Sequence, residues 1–124
     1  LTPKAVILDS QWSALDPSIM GLGPVEATKS ALNHAGMSIG DIDLVEINEA
    51  FGAVVCQSLA NLDYPLEKTN IHGGAIALGH PIGATGARLM TSLLHELERS
   101  GGRYGLVTMC AAGGMAPAII IERL

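Results

Sequence analysis

The chain has 124 residues, 48% of them hydrophobic, and a formal net charge of −5 with no basic cluster. That length supports one domain with a real core but not two ordinary ones. The charge argues against nucleic acid or an anionic membrane as a main partner, and no apolar run is long enough to span a bilayer.

With one Phe, one Trp and two Tyr, the core has to be aliphatic. Cys56 and Cys110 lack paired spacing and read as free thiols in a reducing compartment, which sets a cytoplasmic expectation. The opening Leu-Thr-Pro-Lys has neither an initiator Met nor a signal-peptide pattern, so the chain is expected to be one half of something longer.

In chain order, Lys4 to Asp9 is a short apolar run suited to a buried strand. After a loop punctuated by Asp16-Pro17 and Gly21-Leu22-Gly23, Pro24 opens a helix whose apolar positions are Val25, Thr28, Ala31, Leu32 and Ala35. Gly36 suits its C′ position. Asp43 to Asn48 reads as a second strand and passes at Glu49 into an apolar helix ending near Leu62, where Asp63-Tyr64-Pro65 breaks it. Cys56, in the middle of that helix, is expected in the core.

Thr69 to Leu78 reads as a third extended stretch, with a bulge or turn at Gly73-Gly74. A helix from Thr85 or Gly86 to Ser100 carries the stripe Leu89, Met90, Leu93, Leu94 and Leu97, and Gly101-Gly102 ends it. Arg103 to Cys110 and Ala116 to Glu122 are the last two strands, joined at Ala111 to Gly114 as an antiparallel hairpin. The expected architecture is α/β: a five-stranded mixed sheet, mostly parallel, covered by helices and closed by a C-terminal antiparallel strand.

In such sheets functional groups gather beyond the carboxyl ends of the strands. Asn48, His80 and Cys110 fall there, offering a neutral amide donor, a proton acceptor near neutral pH, and a nucleophile or acid/base. His80 lies in the glycine-rich run Gly73 to Arg88 and is followed by Pro81, so the main chain holds its direction. The trio suits acyl or thioester chemistry, in which an oxyanion needs fixed donors and a proton must move. The plainer reading makes Asn48 a helix cap, Cys110 a small buried hydrophobe and His80 a local hydrogen-bonder.

Gly74 to Gly79 has P-loop spacing, but His80-Pro81 stands where Lys-Ser/Thr belongs. His72, His80 and Cys110 include no short ligand pair, so no metal is expected. His34 and His95 are expected on solvated helix faces, and His72 as a loop hydrogen-bonder.

Asn48-Glu49-Ala50-Phe51, Gly79-His80-Pro81-Ile82-Gly83 and Cys110-Ala111-Ala112-Gly113-Gly114 occur in this order and spacing. The set resembles the C-terminal domain of the thiolases, the acetyl-CoA acetyltransferase and 3-ketoacyl-CoA thiolase family, over nearly the whole chain. The resemblance implies an acyltransferase that thiolyses 3-ketoacyl-CoA or runs the reverse Claisen condensation.

By the family pattern His80 takes the proton of a nucleophilic cysteine and donates toward a thioester oxygen. Asn48 holds a water completing that oxyanion site, and Cys110 moves the proton at the acetyl methyl carbon. Phe51 and Gly83 are implied to line the substrate, and Ala112 and Gly113 to border a second oxyanion hole. The family's nucleophile and most of its CoA-binding surface belong to an N-terminal domain and a loop domain that this chain lacks. Implied partners are acyl-CoA or CoA, the N-terminal thiolase domain, and further copies in a dimer or tetramer; CoA thioester is substrate, and no other cofactor is implied.

Ala112 stands where the family usually has glycine, and alanine resists positive φ, which bears on that second hole. Ala116 also replaces a frequent glycine. A ketoacyl synthase shares the implied fold but has His or Asn where Cys110 stands. A non-catalytic, thiolase-like lipid-binding or scaffold protein is the alternative from another class.

Overall fold

Strand alternation sorts the core residues onto two faces of one sheet. A computed structural model describes all residues from 1 to 124. Its strands are β1 (Ala5–Ala14), β2 (Leu44–Ile47), β3 (Tyr104–Thr108) and β4 (Met115–Arg123), in the order β1-β4-β3-β2. β2 and β3 are parallel; β4 runs antiparallel to both β3 and β1. The helices are α1 (Gly23–Ala35), α2 (Gly52–Leu62), the single-turn α3 (Ala75–Leu78) and α4 (Ile82–Ser100).

Neighbouring residues on a strand point to opposite faces. Leu106 and Ile120 therefore join a cluster with Val25, Ala31, Leu32, Val55 and Leu59 of α1 and α2. Val107 and Ile121 turn the other way and pack under Leu89, Leu93 and Leu97 of α4. The last three residues recur every fourth position and are essentially fully buried. α1 ends at Gly36 and α4 at Gly101, both left-handed.

Five expectations need correction. The sheet has four strands rather than five, because Thr69 to Leu78 does not form one. Thr69 makes a single bridge to Val45, then Asn70 turns away with φ 46° and Ala75–Leu78 coils into α3. An apolar run that short carries no period to separate strand from helical turn. Only one strand pair is parallel, because β1 docks beside β4 and lies at the sheet edge. β1 is not a buried strand: it runs on to Ala14, with Ile7 60% and Trp12 64% exposed.

The fourth helix begins at Ile82, three residues before the expected start, with Pro81 as its N-cap. Proline fixes φ near the helical value, and Gly83 and Gly86 continue the helix. Cys56 is exposed, not in the core. The buried positions of α2 are Val54, Val55, Ser58, Leu59 and Leu62, and residue 56 falls outside that stripe.

Candidate active site at the carboxyl ends of two parallel strands

β2 and β3 end side by side, and the Asn48 N–H donates to the Thr108 carbonyl at 3.0 Å. That bond holds Asn48 level with the end of β3. Its side chain is fully buried, and Nδ2 lies 3.4 Å from Nε2 of His80. Asn48 Oδ1 is buried with no partner from the protein, so its acceptor capacity is uncommitted.

His80 is aimed by its neighbours: Gly79 before it has φ 88°, and Pro81 after it caps α4. Its Nδ1 lies 2.7 Å from the Oγ1 of Thr85, a fully buried residue one turn into α4. The Thr85 hydroxyl donates its single proton to the Pro81 carbonyl at 3.0 Å, so it can only accept from the ring. This network assigns the proton to Nδ1 and leaves Nε2 as an acceptor, its lone pair facing the Asn48 Nδ2 amide 3.4 Å away. His80 itself is exposed. An imidazole so held can take a proton at Nε2 and return it.

Cys110 lies two residues past Thr108, at the same end of the sheet, and is 6% exposed. Burial pushes its thiol pKa up, so it is protonated at neutral pH and able to act as an acid. No hydrogen bond joins it to Asn48 or His80; it shares with Asn48 the end of the sheet where β2 and β3 stop. The chain then turns sharply, with Ala111 N–H donating to the Met115 carbonyl at 2.7 Å.

The left-handed φ values in this turn fall on Gly113 (76°) and Gly114 (81°), not on Ala112. The alanine therefore keeps its N–H in a conformation any residue adopts, which removes the expected conflict. A side chain at Gly114 would collide with the Leu15 carbonyl. Ala116 is fully buried, and its methyl group fits against Gly23, where a second Cβ would clash.

Of the implied lining residues, Phe51 is 62% exposed, at the N-cap of α2. A side chain on Gly83 would meet nothing within 4 Å. His72 is a hydrogen-bonder, with Nε2 2.9 Å from Glu96, while His34 and His95 pair at the surface with Asp9 and Glu98. No group of three or more His, Cys, Asp or Glu side chains is arranged to hold a metal.

Sequence reasoning missed Thr85, Glu49, Asn70 and Glu46. Thr85 had a readable signal once α4 is started at Pro81, since a Thr four residues on bonds back to that carbonyl. Glu46 lies two residues before Asn48 on β2 and is 4% exposed. Burial raises its carboxyl to about 7, against the opposing pull of Arg88 and His72.

The arrangement defines a class: an α/β domain that gathers an amide, an imidazole and a thiol at the carboxyl ends of a parallel strand pair. Comparison with known proteins then identifies the family. A family model described as "Thiolase, C-terminal domain" matches residues 1–123, and the chain belongs to that family.

It is 56% identical to the steroid 3-ketoacyl-CoA thiolase of Mycobacterium tuberculosis, over all of this chain and 30% of that protein. It is 49% identical to the acetyl-CoA acetyltransferase of Escherichia coli, over all of this chain and 32% of that protein. The crystal structure of human mitochondrial 3-ketoacyl-CoA thiolase superposes with a TM-score of 0.96 at 49% identity, covering 99% of this chain and 31% of that one. A structure of the human enzyme in complex with CoA gives the same values. The chain thus spans about a third of the length of the relatives it matches.

Proposed function

We propose that this domain is the C-terminal catalytic part of an acyl-CoA acyltransferase that thiolyses 3-ketoacyl-CoA or runs the reverse Claisen condensation. The observation that carries this reading is the relay from Asn48 through His80 to Thr85, which keeps Nε2 unprotonated and able to serve as a base.

In the thiolytic direction, a cysteine from another part of the protein gives its proton to His80 Nε2, and its sulfur attacks the 3-keto carbon. The bond between C2 and C3 breaks, and its electron pair becomes the enolate of acetyl-CoA. Donors on the Asn48 and His80 side stabilise that enolate oxygen, and the Cys110 thiol protonates the carbon to release acetyl-CoA. The Cys110 thiolate then takes the proton of incoming CoA, whose sulfur accepts the acyl group. The departing cysteine recovers its proton from His80. Removing one oxyanion donor typically costs about 2.7–4 kcal/mol of barrier.

In this reading Cys56, exposed on α2, is not the nucleophile. The acyl and CoA thioesters are substrates, and the reaction requires no further cofactor. In this reading the whole protein is a homo-oligomer working in the cytoplasm. No helix is long and apolar enough to cross a membrane.

Kinetics of the full-length protein test the proposal. Thiolysis of a 3-ketoacyl-CoA should be readily measured and should fall about 100- to 10,000-fold in Cys110→Ala, the range for losing a general acid/base. Absence of turnover would leave a thiolase-like binding or scaffold protein, and turnover indifferent to Cys110 would remove Cys110 from the acid/base role.

A further inference from the structure

We propose that Glu49 and Asn70 together position His80, through a carboxylate–amide tie between the 70–80 segment and the end of β2. The proposal rests on the reading of His80 as the base. Neither residue touches the imidazole; each acts through the backbone that carries it.

The segment needs such a tie. α3 is a single turn of four residues, too short to hold itself together, and its N-cap is Gly74, which has no side chain to cap with. Glu49, 27 positions away, does the capping, with Oε2 accepting the N–H of Ile76 at 3.0 Å. Gly74 is packed so close to the Glu49 carboxylate that an added Cβ would occupy its place.

The other carboxylate oxygen, Oε1, accepts from Nδ2 of Asn70 at 3.1 Å. That amide also reaches β2: Oδ1 accepts the Ile47 N–H, and Nδ2 donates to the Ile47 carbonyl, both at 2.8 Å. Asn70 holds φ 46°, and its own N–H donates to the Val45 carbonyl at 3.0 Å. A side chain thus does along this edge what a fifth strand would have done.

The geometry has a functional direction. Ile47 and Glu49 flank Asn48 on both sides, and both are bonded to the stretch that runs through α3 and Gly79 into His80. The 3.4 Å spacing between Asn48 and His80 is therefore set from both sides of the amide.

The test uses the full-length protein carrying Glu49→Gln. Replacing one carboxylate oxygen by an amide NH2 sets a donor against the Ile76 N–H or the Asn70 Nδ2, so one of the two bonds must break. We expect kcat for thiolysis to fall about 100-fold, the cost of a small misplacement of a reacting group. KM should stay within about threefold, because substrate binding is not the step affected. The midpoints of the pH profile should not move, because Thr85 still holds the ring.

In a His80→Ala background Glu49→Gln should cost nothing more, whereas a general structural role would cost the same in both backgrounds. An equal loss in both, or an undiminished kcat, overturns the proposal. Gly74→Ala, which displaces the carboxylate while keeping every hydrogen-bonding group, is the second variant should Glu49→Gln fail to fold. It should give the same pattern.

If the wild-type protein shows no thiolysis, the reading of the domain as a thiolase catalyst fails, but the tie is still measurable. Hydrogen exchange across residues 71–80 should accelerate in Glu49→Gln while β3 and β4 stay protected. Unchanged exchange there overturns the tie itself.

Discussion

Thr85 has no part in bond making, yet it decides which nitrogen of His80 is basic. Thr85→Val removes the acceptor for the Nδ1 proton and frees the ring to rotate or change tautomer. We expect kcat to drop by at least about tenfold, with Thr85→Ser retaining most activity, as for other groups that orient a catalytic imidazole. Steady-state kinetics of the two variants check this.

The turn after Cys110 yields a stability comparison. Ala112→Gly should change little, because alanine already sits at negative φ. Gly114→Ala combines a left-handed φ with a collision at the Leu15 carbonyl, and should destabilise by about 3 kcal/mol or more, or prevent folding. Thermal melts of the full-length variants separate the two.

Glu46 gives a pH signature. Its carboxyl is raised to about 7 from an ordinary value of 4.5, so the unfolded chain releases its proton first as pH rises. Stability from this group is full below about 4.5 and is lost as pH climbs toward 7. Glu46→Gln removes that slope. Its melting temperature relative to wild type should therefore increase between pH 4.5 and 7, and a flat difference would contradict the assignment.

At the scale of elements, α2 ends on Asp63 at φ 52°, a left-handed position that a non-glycine residue occupies at a cost. Asp63→Gly should raise stability by about 0.5–1 kcal/mol, measurable by denaturant titration.

The elements also show what could be read from sequence. α1 was legible because Pro24 and Gly36 bracket an apolar face, and α4 because Leu89, Leu93 and Leu97 repeat at helical spacing. β2 and β3 were legible as apolar runs, and with them the position of Asn48 and Cys110 at strand ends. The 69–78 stretch was not, because its shape depends on Asn70 bonding to Ile47 and on Glu49 capping α3. Contacts across 23 and 27 positions leave no local pattern. Thr85 was hidden for a related reason: its contact with His80 exists only if the helix starts before Thr85, and the glycines at 83 and 86 masked that start. Cys56 has apolar neighbours in sequence, but these do not fix burial, which depends on the helix face.

At the scale of the molecule, several large apolar side chains remain in water: Ile7, Trp12, Phe51, Ile76 and Ile82, the last 89% exposed. Surface of this kind is uncommon on a free-standing domain and suits one that packs against further chain. If the acyl-accepting cysteine is supplied from there, the 124-residue segment alone should show no thiolysis. A sensitive assay of CoA consumption on a 3-ketoacyl-CoA would detect turnover, and turnover by the isolated segment would refute that division of labour.

The sheet order has a practical corollary. Ala5 lies opposite Arg123 on adjacent strands, and the Leu124 N–H donates to the Lys4 carbonyl at 2.9 Å. Residues 4 and 124 therefore share one corner, at the end of the sheet away from the imidazole. Any chain joined to the domain at these two residues would leave from that corner, away from the reacting groups.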